Sequence, residues 1–160
     1  LKGKTVVVID PVRTKLAESA DFHLQIKPRG DLYLALLLSR FVMINSMEDT
    51  EFLEEYAPEY EEFYELTQTV RIKAVLESID VMLGYIGRIL DLVNGRKTVI
   101  LAGVGIQKYR NGAEVMRAID GFGALLGLFG KEGCGVNPVT SISNSQASRA
   151  ATSIPPPASR

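Results

Sequence analysis

The stretch Thr5-Val6-Val7-Val8-Ile9-Asp10-Pro11-Val12-Arg13-Thr14 constrains this chain more than any other. Four consecutive β-branched aliphatics, Val6 to Ile9, have the composition of a strand buried on both faces, as in the middle of a parallel sheet. The run stops on a carboxylate and then a proline, which has no N–H to continue a ladder. In open α/β sheets ligands lie outside the carboxyl ends of the strands. Asp10 therefore stands where it can accept hydrogen bonds from sugar hydroxyls or a purine edge. Arg13 offers a planar five-donor fork suited to phosphate, and Thr14 can cap the helix that follows. A plain strand end with a solvated Arg13 accounts for the same residues equally well.

The rest of the chain shows what kind of body carries this strand. At 160 residues, one domain can bury about two-thirds of its extended-chain surface. The net charge of −1 conceals an asymmetry: nine acidic and no basic residues lie between Glu48 and Glu65, which leaves the remainder at about +8. A basic body with one acidic helical region suits an anionic ligand such as a pyrophosphate, although solvated charge faces are commoner. Cys134 is the single cysteine, so an internal disulfide and a four-cysteine iron–sulfur or zinc site are excluded within these residues. The longest apolar run, Leu32 to Ile44, is interrupted by Ser39 and Arg40 and is too short to span a bilayer, so direct membrane insertion is not expected. No N-terminal signal peptide is visible, because Leu1-Lys2-Gly3-Lys4 leads straight into the strand. With leucine first, the sequence reads as part of a longer chain.

After the first strand, Lys15 to Ala20 reads as a short helix and Phe22-His23-Leu24-Gln25-Ile26 alternates as a half-buried strand. His23, the only histidine, reads as a polar outward position and has no partner at metal-ligand spacing. Pro28-Arg29-Gly30-Asp31 forms a turn, with Asp31 as cap of an apolar helix from Leu32 to about Asn45. Ser46-Met47-Glu48-Asp49 has capping-box spacing and opens an acidic helix, Thr50 to Tyr56. Pro58 ends it, and Glu59 to Gln68 follows. Tyr56, Tyr60, Phe63 and Tyr64 fall at helical spacing as an apolar docking stripe. Val70 to Val93 is helical with a break near Ser78-Ile79-Asp80. Its later face is Leu83, Ile86, Ile89, Leu90 and Val93, with Asn94-Gly95 as the stop.

Lys97 to Ala102 is the second buried strand, and because each β-branched run is followed by a helix, Val99 to Ala102 is expected to neighbour Thr5 to Ile9 in a parallel sheet; it enters the glycine-rich turn Gly103-Val104-Gly105-Ile106-Gln107-Lys108. A dinucleotide fingerprint needs a third glycine where Lys108 stands, and an earlier helix start, so an NAD site is improbable. Asn111-Gly112-Ala113-Glu114 caps a helix from Ala113 to Phe129. Gly121, Gly123 and Gly127 each weaken that helix by about 1 kcal/mol, which close packing against the sheet is expected to offset. Residues 137–160, rich in Ser, Ala and Pro, read as a flexible tail.

Together these segments resemble the molybdopterin oxidoreductase family, which includes formate dehydrogenases, nitrate and dimethyl sulfoxide reductases and the large subunit of respiratory NADH–quinone oxidoreductase. The resemblance rests on Val7 to Thr14, then Ala17 to Pro28 with Ala20-Asp21-Phe22-His23, and the turn before Asp31. It continues through Leu101 to Gln107, Asn111 to Asp120, and Leu125 to Val136, covering about residues 3 to 138. Arg29-Gly30 departs from the family's Gly-(Thr/Ser) order, and Leu126 and Leu128 replace polar residues.

The resemblance implies an α/β, Rossmann-like three-layer fold with a mainly parallel sheet flanked by helices, spanning residues 1–136. It implies a domain that helps hold the guanosine end of molybdopterin guanine dinucleotide, whose pterin carries molybdenum or tungsten. Asp10, Pro11, Arg13, Thr14, Asp31, Gly103 and Gly105 are the cofactor-binding candidates, with Asp31 at the guanine. No catalytic residue or metal ligand is assigned; those and the iron–sulfur cysteines belong elsewhere in the full polypeptide. Thr140, after Asn137-Pro138-Val139, stands where formate dehydrogenases place an arginine, which argues against formate chemistry in this chain. The implied partners are the other domains of the same subunit and other subunits of a redox complex, without nucleic acid. A cytoplasmic location is expected; a position peripheral to the inner membrane, or in the periplasm, stays open. The alternatives are a cofactor-free structural domain of the NADH–quinone oxidoreductase large subunit, and a free-standing nucleotide-binding module.

Overall fold

The computed structural model describes residues 3–139. The β-branched run forms β1, Val7–Ile9, which leads through the Asp10-Pro11 turn into α1, Lys15–Ser19, and then β2, Phe22–Leu24. β1 and β2 are parallel, with Val7 opposite Phe22 and Ile9 opposite Leu24. α1 is the crossover that parallel pairing demands.

The apolar segment becomes α2, Asp31–Ile44, with Leu34 to Ser39 and Val42 buried. A helix apolar on nearly every side has to be surrounded. α3 (Thr50–Tyr56), α4 (Tyr60–Gln68), α5 (Ile72–Ile79) and α6 (Leu83–Val93) follow it. Arg40, the one basic residue of α2, donates from Nη1 to the carbonyls of Gln68 and Val70, serving the end of α4. β3, Val99–Ala102, leads into the single turn of α7, Val104–Gln107, then α8, Gly112–Leu125, and β4, Gly135–Pro138. β3 and β4 are again parallel, Val99 opposite Gly135 and Ala102 opposite Pro138. α2 and α8 form the main helical contact, through a core that includes Leu37, Val42, Phe122 and Leu125.

The α/β class and the parallel pairing are those expected, and three details are corrected. β1 and β3 are not hydrogen-bonded neighbours; among the described residues each belongs to its own two-stranded sheet. Neither strand is buried on both faces: Ile9 is 39 % exposed, Val99 49 % and Leu101 66 %. The β-branched composition reports a sheet that is covered on both sides, and these residues supply cover for only one. Helix starts also shift by a residue or more. Gly30, not Asp31, is the N-cap of α2, and Asp31 is its first helical residue. Asp49, not Ser46, caps α3, accepting the Phe52 N–H at 3.0 Å.

α8 stops at Leu125, four residues before the expected end, because Gly127 takes a left-handed φ of 58°. The Gly127 and Leu128 N–H groups then satisfy the carbonyls of Ala124 and Gly123. The break between α5 and α6 falls at Asp80, φ 59°. Leu83 is exposed rather than part of the α6 core face. Tyr56 and Tyr64 likewise point to solvent, while Tyr60 and Phe63 pack on the core. Asn137 and Pro138, grouped with the tail by composition, close β4; the remainder of that tail, Thr140 included, lies outside the described residues.

Candidate functional site

Asp10 ends β1 in a tightly held turn. Its N–H donates to the Leu24 carbonyl at 3.2 Å, and its Oδ1 accepts the Val12 N–H at 2.7 Å. That is an Asx-turn over Pro11. β2 braces the turn from the side. His23 Nε2 lies 3.0 Å from the Asp10 carbonyl oxygen, and Gln25 Nε2 donates to the Pro11 carbonyl at 2.9 Å. The outward polar positions of a half-buried strand thus orient the candidate loop. The alternation of β2 predicts His23 at a polar outward position, and the structure uses that position to brace the Asp10 turn. Thr14 caps α1, its Oγ1 accepting the Ala17 N–H at 3.2 Å, which is the expected use. Arg13 is exposed beside it.

Asp31 stands at the start of α2, after a turn of unusual composition. Arg29 carries the left-handed conformation, φ 69°, at a cost a glycine would not incur. Gly30 is needed for space: a Cβ there would lie 2.9 Å from the Lys27 carbonyl oxygen and 3.1 Å from Ile79 Cγ2. The inverted Arg-Gly order therefore places glycine where packing, not φ, requires it. Burial raises the pKa of Asp31, its own backbone N–H opposes this, and the nearby Asp10 carboxylate raises it further. The two carboxylates thus lie within electrostatic reach of each other.

Gly103 caps α7 and Gly105 lies within it; both are exposed, and a Cβ at either would meet nothing within 4 Å. The helix begins at once after Gly103, earlier than expected. Between the two strand pairs runs a groove of about 500 Å³. Its walls include Val7 and Ile9 from β1 and Val99 to Ala102 from β3, with Leu34, Ala35 and Leu38 of α2 on its floor; Asp31 borders it as well. Ile9, Ala102 and Ile106 line it, and they are chain neighbours of Asp10, Gly103 and Gly105. Asp31 lines this groove, and Asp10, which follows the lining residue Ile9, lies within electrostatic reach of it. Arg13 and Thr14 are not among its lining residues. Carboxylates at such a place call for N–H and O–H donors. Among the described residues no group of three or more His, Cys, Asp or Glu could hold a metal ion, and no helix is long and apolar enough to cross a membrane.

A family model described as molybdopterin oxidoreductase matches residues 1–157. The chain belongs to that family. This molybdopterin oxidoreductase chain is 28% identical over 136 residues to the "Probable oxidoreductase YyaE" of Bacillus subtilis, covering 85% of the chain and 20% of that protein. It is 27% identical over 147 residues to the "F420-dependent formate dehydrogenase subunit alpha" of Methanocaldococcus jannaschii, covering 91% of the chain and 22% of the relative. Among solved structures it is similar to the acetylene hydratase of Pelobacter acetylenicus, with a TM-score of 0.74 and 25% identity over 81% of this chain and 18% of that one. The chain thus spans about a fifth of the length of the curated relatives it matches. Membership of the family implies a molybdenum or tungsten pterin cofactor.

Proposed function

We propose that this chain is the cofactor-binding domain of a molybdopterin-dependent oxidoreductase subunit and helps hold the guanosine part of molybdopterin guanine dinucleotide. The observation that carries the reading is Asp31, half-buried on the wall of the groove, with Asp10 at the end of β1 near enough that its charge adds to the burial that raises the Asp31 pKa. A carboxylate pair in such surroundings is costly as plain surface and is relieved by bound donors. Asp31 accepts from the guanine N1–H and amino edge. Asp10, one oxygen already committed to Val12, offers the other to a ribose hydroxyl. Arg13 provides the cation for the pyrophosphate, and the open backbone at Gly103 and Gly105 lets the chain approach it closely. When bound, the pterin supplies the metal and the electron transfer; these residues bind and orient its nucleotide end. The remaining domains of the subunit, and other subunits of a redox complex, complete the pocket, so this chain alone binds weakly and has no redox activity.

The test is titration of the full-length subunit, depleted of cofactor, with guanosine diphosphate and with adenosine diphosphate. Asp31→Asn weakens guanosine diphosphate binding by roughly 10-fold or more, the worth of a charged hydrogen bond, and leaves adenosine diphosphate unchanged. Equal loss for both bases reduces Asp31 to a helix-start residue. Pterin and metal analysis of the untreated subunit separates this reading from a cofactor-free scaffold.

A further inference from the structure

The acidic stretch of the chain plays no part in a nucleotide site. Nine acidic and no basic residues lie between Glu48 and Glu65, on α3, on α4 and in the turns that flank them. The seven glutamates from Glu51 to Glu65 are all exposed, and none is ion-paired with a described residue. Like charges three and four residues apart, as Glu51 with Glu54 and Glu61 with Glu65, weaken a helix. Folding of α3 and α4 therefore gives no reason for this crowding.

A groove of about 380 Å³ opens where α3 and α4 meet, at the elbow Ala57-Pro58-Glu59, and α8 forms its other side. Tyr56, Tyr60 and Phe63 line it from the elbow, and the small residues Gly121 and Ala124 from α8. Phe63 lies so close to Gly121 that a Cβ there would come within 2.5 Å of its Cζ, which holds the two walls in register. Tyr56 stacks on Phe52 with ring centroids 5.2 Å apart and is still 67 % exposed. An aromatic side chain held in place yet open to water is the usual form of an interface anchor. Glu59 stands in the groove wall itself, so an apolar slot and an unpaired anionic rim share one place.

We infer that the groove at the α3–α4 elbow docks a segment of a separate protein in which an apolar side chain is flanked by lysine or arginine. The apolar anchor fills the slot between Tyr56 and Ala124, and the flanking cations meet the glutamate rim, which also steers the encounter. A second copy of this chain does not suit the site, because two such grooves face to face would set like charge against like. A permanent cover from the same polypeptide does not suit it either. It would have to bury the whole glutamate row and supply a cation for each, whereas a separate partner leaves the outer glutamates in water as a polar rim. The inference is independent of whether a nucleotide is held by Asp10 and Asp31.

Two measurements on the full-length subunit test it. The first titrates it with a short synthetic peptide of two leucines flanked by lysines, and with a glutamate-flanked counterpart. The lysine peptide is expected to bind and the glutamate peptide not. Reversing the exposed Glu55 and Glu59 together, Glu55→Lys with Glu59→Lys, should weaken the lysine peptide by at least about 10-fold. Ala124→Trp, which fills the slot without touching the charges, should do the same. Failure of the lysine peptide to bind, or equal binding to wild type and either variant, overturns the inference. The second places p-benzoylphenylalanine at Tyr56 and irradiates the cells that make the protein. A crosslink to a lysine- or arginine-rich segment of a different protein supports the inference. A crosslink to the same polypeptide, to a second copy or to a segment without basic residues, or no crosslink at all, refutes it.

Discussion

His23 Nε2 sits 3.0 Å from the main-chain carbonyl oxygen of Asp10, so the only histidine of the chain ties the second strand to the turn that ends the first. Replacing it with alanine removes one partly buried hydrogen bond, worth about 1 kcal/mol. The urea midpoint of His23→Ala should fall accordingly. Guanosine diphosphate affinity of the full-length subunit should drop with it, since Asp10 loses its brace. An unchanged affinity would mean that the Asx-turn and Gln25 hold the loop by themselves.

Asp49 joins α3 to the exit of α8. It caps α3, its N–H donates to the Leu125 carbonyl at 2.8 Å, and its Oδ2 pairs with Lys131. Asp49→Ala should cost about 1–2 kcal/mol through loss of the cap. Lys131→Ala should cost less than about 1 kcal/mol, because the ammonium is half exposed. The hydrogen bonds from Lys131 and then Phe52 lower the Asp49 pKa. Its stabilisation is therefore present above the unfolded value of about 4 and disappears as pH falls through the lowered folded value. Thermal melts of the wild type and Asp49→Asn should converge in acid and diverge toward neutrality.

Asp31 has the opposite sign. Burial and Asp10 raise its pKa in the folded state, so the fold favours the protonated form. Its contribution is full below the unfolded pKa and is lost as pH rises through the raised folded value. Asp31→Asn should therefore raise the melting temperature at neutral pH while weakening guanine recognition. A variant that loses both stability and binding would show that the carboxylate is structural.

The helical glycines divide by their surroundings. A methyl on Gly123 would overlap Val136 Cγ2, and one on Gly121 would lie 2.5 Å from Phe63 Cζ. Overpacking of about 1–3 kcal/mol should outweigh the helix gain of about 1 kcal/mol, so Gly123→Ala destabilises. Gly87 in α6 meets nothing within 4 Å, and Gly87→Ala should stabilise by about 0.5–1 kcal/mol. Denaturant midpoints of the two variants should move in opposite directions.

Close packing was the expected compensation for the α8 glycines, but only part of it comes from the sheet. Gly123 meets β4 through Val136, while Gly121 meets Phe63 of α4. Spacing along one helix says that a small residue is needed; which element approaches is decided by a fold the spacing does not encode.

The local elements were legible because each rests on short-range chemistry. β-branched runs make strands, Gly95 and the Asp80 neighbourhood end helices, and the six motif segments carry the family resemblance that the family model bears out. Helix caps were misread by one to three residues at Gly30 and Asp49, where several residues offer similar hydrogen bonds and only the path of the chain selects one. Tertiary structure alone decided three things. It paired β1 with β2 and β3 with β4, because strand partnership depends on contacts distant in sequence. It brought Asp31 within reach of Asp10, because the distance between two strand ends is set by the crossover and the packing of α2. And it left Val7, Ile9, Val99 and Leu101 lining one groove, because alternation along a strand fixes which residues share an edge, while only tertiary packing sets two edges opposite one another.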